Sequence, residues 1–219
     1  MIQILNLTKK YGNTTILSNI NITFMDGRIY GLVGPNGSGK TTLMRCICGF
    51  TQPDNGKVVV NGKTVGSDCD FPLQTGIILE NPSFLPQYSG LKNLQILSNI
   101  SQVIDKEKVM SVMRMVGLDP LCKKEVRKYS LGMRQRLGVA QAIMEDPKVL
   151  ILDEPFNGLD AQGIADIHAL LQKLKSQGKT IILASHSAFD IAKACDEAFE
   201  ITNGQIRSIG INSLFGLKK

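Results

Sequence analysis

Eight consecutive residues could hold a phosphate chain. Gly34, Pro35, Asn36, Gly37, Ser38, Gly39, Lys40 and Thr41 form a glycine-rich loop that ends in a lysine and a hydroxyl. The glycines let successive backbone N–H groups turn inward onto phosphate oxygens. The start of a following helix adds a favourable dipole. Lys40 suits the β- and γ-phosphates, the Thr41 hydroxyl suits Mg²⁺, and Thr42 carries the loop into the helix. A glycine turn with no ligand is the plainer alternative, but the full pattern, between an apolar run and a helical one, argues against it. The loop implies a nucleotide, not a reaction.

A second group of residues could act on that nucleotide. Four apolar residues, 149–152, run into Asp153 and Glu154. The ends of parallel strands face the ligand crevice. Asp153 is suited to Mg²⁺, usually through water. Glu154 points elsewhere and is suited to polarise an attacking water. A solvated pair of acids is the competing account, and the upstream loop weakens it.

The elements that must position these residues can be read from the apolar pattern. Strands are expected at 2–5, 16–24, 28–33, 57–60, 76–79, 149–152, 180–184, 198–201 and 205–209. Asp26-Gly27 reads as a hairpin turn between two of them. A helix leaves the loop and stops at Gly49. Between 90 and about 146 the period becomes helical, with Leu91, Leu94, Leu97 and Ile100 on one helix and Val109, Val112, Met113 and Val116 on another. A third starts near Ser130. Two more follow at 161–177 and 188–194.

Alternating strands and helices imply a parallel α/β sheet. The expectation is one α/β domain over 1–219 with a phosphate-loop NTPase core. Residues 1–85 and 147–219 would form the nucleotide-binding core with an N-terminal antiparallel β layer. Residues 86–146 would form an inserted α-helical subdomain.

Composition narrows the class. Of 219 residues, 43% are hydrophobic and 20% charged, which excludes disordered, collagenous and coiled-coil chains. No apolar run approaches the ~20 residues that cross a bilayer. The first residues do not read as a secretory signal, so a cytoplasmic protein is expected. The net charge of +6 is spread along the chain, apart from Lys123, Lys124, Arg127 and Lys128 around Glu125. The five cysteines lack a disulfide spacing. Cys46 and Cys48 would point ~200° apart on a helix, so all five read as reduced.

Further residues bring the chain to a family. Tyr129-Ser130-Leu131-Gly132-Met133 followed by Arg134-Gln135-Arg136 resembles the LSGGQ signature of ABC ATPases and its basic-glutamine-basic continuation. Asn157-Gly158-Leu159-Asp160 resembles that family's D-loop, Ser185-His186 its switch histidine, and Tyr11 its adenine-stacking aromatic. These run in family order from Tyr11 to His186, so the resemblance covers nearly the whole chain.

It implies a head-to-tail dimer with two ATPs between the subunits. ATP and Mg²⁺ would be the cofactors, with Thr41, Asp153 and Glu80 near the metal. Glu154, His186 and Glu80 would serve hydrolysis. Ser130 and the Gly132 N–H would reach the γ-phosphate of the ATP held by the second subunit, and Asp160 of the D-loop would be a further nucleotide-binding residue. Ser130 taken alone is also an ordinary helix N-cap. His168 reads as a residue at the edge of the core.

The chain departs from the family pattern at Tyr129, Leu131 and Met133, and at Glu80, where most members carry glutamine. Glu80 and the altered signature resemble the branch that exports bacitracin and lantibiotic peptides. The expectation is the ATPase subunit of such an exporter, peripheral on the cytoplasmic face of the membrane. Its permease would be a separate polypeptide docked near residues 81–88, with Phe84 and Leu85. A homodimer suffices, because one chain carries a complete motif set. Two rivals remain: a soluble ABC ATPase acting on nucleic acid, ribosomes or iron–sulfur assembly, and a small-molecule kinase. The +6 charge keeps the first alive, although nucleic acid is not an expected partner. The kinase has no use for Ser130.

Overall fold

The protein is described by a computed structural model over residues 1–80 and 82–214. Strands β1 (Ile2–Tyr11) and β2 (Thr14–Phe24) form an antiparallel hairpin through Gly12 and Asn13. Strands β3 (Ile29–Val33), helix α1 (Lys40–Ile47), β4 (Asn55–Val60), β5 (Lys63–Thr64) and β6 (Thr75–Ile78) follow. Next come α2 (Gly90–Ser101), α3 (Lys106–Met115), α4 (Leu131–Ile143) and β7 (Val149–Asp153). The chain continues through α5 (Ala161–Ser176), β8 (Thr180–Ala184), α6 (Ala188–Ala194), β9 (Glu197–Thr202), β10 (Gln205–Ile209) and α7 (Ile211–Leu214).

Two sheets form. The first is antiparallel, in the order β2-β1-β4-β5. The second has the order β10-β9-β3-β8-β7-β6 and is parallel except for the β9–β10 pair. Asp26-Gly27 is therefore not a hairpin turn, because β2 and β3 lie in different sheets. All five residues of β3 are buried, as in a central parallel strand covered on both faces, whereas β2 mixes buried and exposed positions. Gly27 turns the chain between the sheets at φ 73°, and its N–H donates to Thr180 Oγ1 at 3.1 Å.

Helix α1 lies between the sheets. Its Leu43, Met44 and Ile47 are fully buried in one core with Ile2, Ile4, Leu17, Ile151 and Ile182. Burial of each such side chain contributes about 1.5–3 kcal/mol. A second core joins the opposite face of the parallel sheet to α2, α3 and α4 through Leu94, Val109, Met113, Leu137, Leu150 and Leu183. These helices start where the sequence suggests, because Ser89, Asp105 and Ser130 each accept a hydrogen bond from an N–H three residues on.

His168 differs from its expectation. It is 5% exposed rather than at the edge, between the Phe156 ring at 4.6 Å and Asp190 at 3.9 Å. All five cysteines are free thiols. Burial pushes Cys46 up to about 11, Cys48 up to about 12, and Cys195 up as well. Among the described residues, no helix is long and apolar enough to cross a membrane.

Candidate functional site

Four strand ends converge on one crevice. β3 runs into the 34–39 loop, β6 reaches Glu80 through Leu79, β7 ends in Asp153 and Glu154, and β8 leads to Ser185 and His186. Pairing of Asp153 with Ala184 aligns the ends of β7 and β8. The crevice holds a cavity of about 740 Å³ lined by Tyr11, Asn36, Gly37, Gly39, Lys40, Thr41, Thr42, Glu80, Asp153 and Glu154.

The loop geometry accounts for its glycines. Gly34 has φ 149° and faces the Ile201 carbonyl and Ser38 Oγ so closely that a Cβ there would collide. Gly39 is left-handed at φ 109° and has no side chain with which to cap α1. The first amides of α1 therefore have no side-chain cap, and the residues that carry them, Lys40, Thr41 and Thr42, line the cavity. Pro35 accepts the Ser38 N–H and the Lys40 ammonium through its carbonyl. The Ser38 hydroxyl is buried with no hydrogen-bond partner.

Lys40 is 7% exposed, and its Nζ donates to the Gly34 and Pro35 carbonyls at 2.7 and 3.0 Å. No carboxylate pairs with it among the described residues. A buried ammonium held only by carbonyls, beside an orphaned hydroxyl and uncapped helix amides, is a site for a polyanion.

Thr41 Oγ1 donates to Asp153 Oδ2 at 2.6 Å. Asp153 is 4% exposed, and burial raises its carboxyl above the usual range, against the pull of Thr41 and Lys40. These two hard oxygen ligands fit Mg²⁺, whose charge would offset the buried carboxylate. Glu80 also lines the cavity, but its Oε1 is bonded to Arg45 Nη2 at 2.7 Å. Asn81 lies outside the described residues.

Glu154 Oε2 lies 2.9 Å from Nδ1 of His186, which is mostly exposed. Glu154 has φ 50°, a left-handed conformation rare for a residue other than glycine. Its N–H donates to the Ala184 carbonyl at 2.9 Å. Its carbonyl accepts from Asn157 N–H at 3.2 Å and from Gln135 Nε2 at 3.0 Å. The backbone twist places the carboxylate toward His186 rather than along β7.

The cavity does not include Ser130, Gly132, Asp160 or His186 in its lining. Ser130 Oγ accepts from Met133 N–H at 3.1 Å, so it does cap α4, and Asp160 Oδ1 accepts from Gly163 N–H at 2.8 Å and caps α5. Leu131 lies over Gly158, where a Cβ would strike the leucine side chain. A Cβ on Gly132 would sit 2.7 Å from the Gly158 carbonyl. The 157–160 turn is thus in contact with the first turn of α4.

Gln135 and Asn157, quoted within their motifs but given no site role from the sequence, line the cavity, and Arg45 bonds to Glu80 beside it. Gln135 was visible as the centre of the basic-glutamine-basic run. No pattern pointed to Arg45.

The ABC transporter family pattern matches residues 17–157. The uncharacterized ABC transporter ATP-binding protein YybJ of Bacillus subtilis is 45% identical over 208 residues, covering 95% of each chain. The bacitracin transport ATP-binding protein BcrA of Enterococcus faecalis is 42% identical, over 87% of this chain and 63% of its own length. The lantibiotic transport ATP-binding protein SrtF of Streptococcus pyogenes is 36% identical, over 94% of this chain and 89% of its own. Among solved structures, MJ0796, a bacterial ABC transporter cassette solved as a dimer, superposes with a TM-score of 0.86 at 23% identity, over 96% of this chain and 99% of the cassette. That likeness establishes the shared fold.

Proposed function

The chain belongs to the ABC transporter family of ATP-binding proteins, and from that premise we propose that it binds and hydrolyses ATP to drive a separate membrane permease that exports peptide antibiotics. The single observation that carries the reading is the crevice itself. It brings Lys40, the Thr41–Asp153 pair and Glu154 to one cavity, with His186 bonded to Glu154 from outside the lining, and leaves Ser130 and Gly132 outside it as well.

In this reading Lys40 and the α1 amides bind the phosphates, and Tyr11, half exposed at the cavity rim, stacks on adenine. Thr41 and Asp153 would hold Mg²⁺, which when bound would supply positive charge against the phosphate chain. Glu154 accepts a proton from the attacking water, and His186 holds the Glu154 carboxylate in position. Ser130, Gly132 and Asp160 serve the ATP of a second copy, so the working unit is a dimer. Residues 1–85 and 147–219 act as the nucleotide-binding core and 86–146 as the helical arm that carries Ser130.

Leu85 and Tyr88 are exposed, and Pro82 and Ser83, just before them in the chain, line a cavity of about 460 Å³ together with Phe50, Phe71 and Leu79. An apolar rim of this kind supports permease docking there, on the cytoplasmic face of the membrane. BcrA and SrtF are named for bacitracin and lantibiotic transport, which supports peptide export over the soluble alternatives. The test is co-purification of the tagged chain with a membrane protein, followed by resistance to bacitracin or a lantibiotic in cells that carry both. Recovery of a salt-sensitive nucleic acid instead, with no change in resistance, would overturn the reading.

A further inference from the structure

We propose that Gln135 is a positioning residue for Glu154, tying the helix that begins at Ser130 to the general base of the same subunit. The inference rests on the ATPase reading above.

Gln135 lies in the second turn of α4 and is 3% exposed. It lines the nucleotide cavity, and its side-chain amide reaches across to the chain just after β7. A carbonyl oxygen can only accept, so the group facing Glu154 O at 3.0 Å is the Nε2 donor, and this settles the amide orientation. The bond goes to the backbone of Glu154, not to its carboxylate. Gln135 therefore leaves the reactive oxygens free and acts on where the residue stands.

Glu154 needs such a support. Its left-handed backbone, φ 50°, persists only where the surroundings over-determine it. Three bonds do so: Ala184 O on its N–H, and Asn157 N–H and Gln135 Nε2 on its carbonyl. The first comes from β8 and the second from the same turn. Only Gln135 comes from α4, whose N-cap is Ser130. In a dimer that seats Ser130 on the partner's ATP, the same rigid helix then holds the base aimed at this subunit's own ATP. Seating one nucleotide would steady the acid that acts on the other.

Gln135→Met keeps the volume and removes the donor. With the purified full chain and Mg²⁺-ATP, kcat should fall on the order of 10- to 100-fold, the size of effect expected from misplacing a catalytic group by about 1 Å. KM, and the affinity for a non-hydrolysable ATP analogue, should stay within about twofold, because no contact to nucleotide is removed. Amide exchange at Asn157 should quicken, since its acceptor carbonyl loses its second anchor. If the Met variant does not fold, Gln135→Leu, which also lacks the donor, is measured in the same way.

A soluble variant with wild-type kcat and unchanged exchange at Asn157 overturns the proposal. So does a parallel loss of ATP affinity, which would make Gln135 a nucleotide contact. A wild-type chain that neither binds nor hydrolyses ATP defeats the ATPase reading itself, and is told apart because the fault appears before any substitution.

Discussion

Arg45 Nη2 lies 2.7 Å from Glu80 Oε1, joining the helix of the phosphate loop to the segment that leaves β6. The sequence suggested a bare carboxylate beside the nucleotide acids. The structure provides it with a counter-charge, and both residues also act on the buried Asp153 in opposite senses. Arg45→Gln should therefore unmask Glu80. ATP affinity should then depend more steeply on Mg²⁺, by about two- to fivefold between low and saturating metal, the range of a partly exposed ion pair. Glu80→Gln should flatten the same curve while hydrolysis continues. Nucleotide titrations at graded Mg²⁺ test both, and superimposable curves for all three proteins would remove any electrostatic role for Glu80.

Lys40→Ala should weaken ATP binding by at least about 30-fold, because it removes a buried charge aimed at the phosphates. Titration calorimetry gives the answer directly. The fold should survive, since the lysine makes only two carbonyl contacts. Unchanged affinity would reassign the loop.

Glu154→Gln should keep ATP binding and slow turnover by roughly 10²–10⁴-fold, as expected for loss of a general base. The carboxamide still reaches His186 but cannot take a proton. ATP should then accumulate a dimer visible by size exclusion. A monomer with near-normal turnover would mean that the base lies elsewhere.

His168 should make the fold acid-sensitive. Burial holds its imidazole below the ordinary value of 6.5, with Asp190 pulling the other way and Lys193 reinforcing the shift. Its folded value is depressed, so the unfolded chain binds the proton more readily. The stability it contributes is present above pH 6.5 and is lost as pH falls through the folded value. Wild type should lose stability relative to His168→Phe as pH drops from 7.5 to about 5.5 in denaturant melts. Parallel pH curves for the two proteins would show that His168 does not titrate between the folded and unfolded states.

Much of the site was legible because it is built from local runs. The loop at 34–41 and the strand ending in Asp153-Glu154 each carry their chemistry within a few residues, and the parallel order then brings them together. The hairpin assignment at Asp26-Gly27 failed because a tight turn specifies a reversal but not the sheet that receives the next strand. The contacts made by Gln135 and Arg45 stayed hidden for a related reason. Their partners lie 19 and 35 residues away, and only folding sets those distances. His168 was misjudged because its neighbours on α5 do not reveal that Phe156 and α6 close over it.

The contact between Leu131 and Gly158 makes these two positions a size-exchanging pair. A leucine at 131 leaves no room for any side chain at 158, and the left-handed backbone there, φ 72°, already favours glycine. The reverse should also hold: a glycine at 131 opens space that a small residue at 158 can fill, provided it tolerates the turn, as asparagine does. In a comparison across the family, volume at one position should therefore fall as volume at the other rises. A leucine introduced at 131 alone, into a relative with a side chain at 158, should force the 157–160 turn off the start of α4 rather than merely alter the signature.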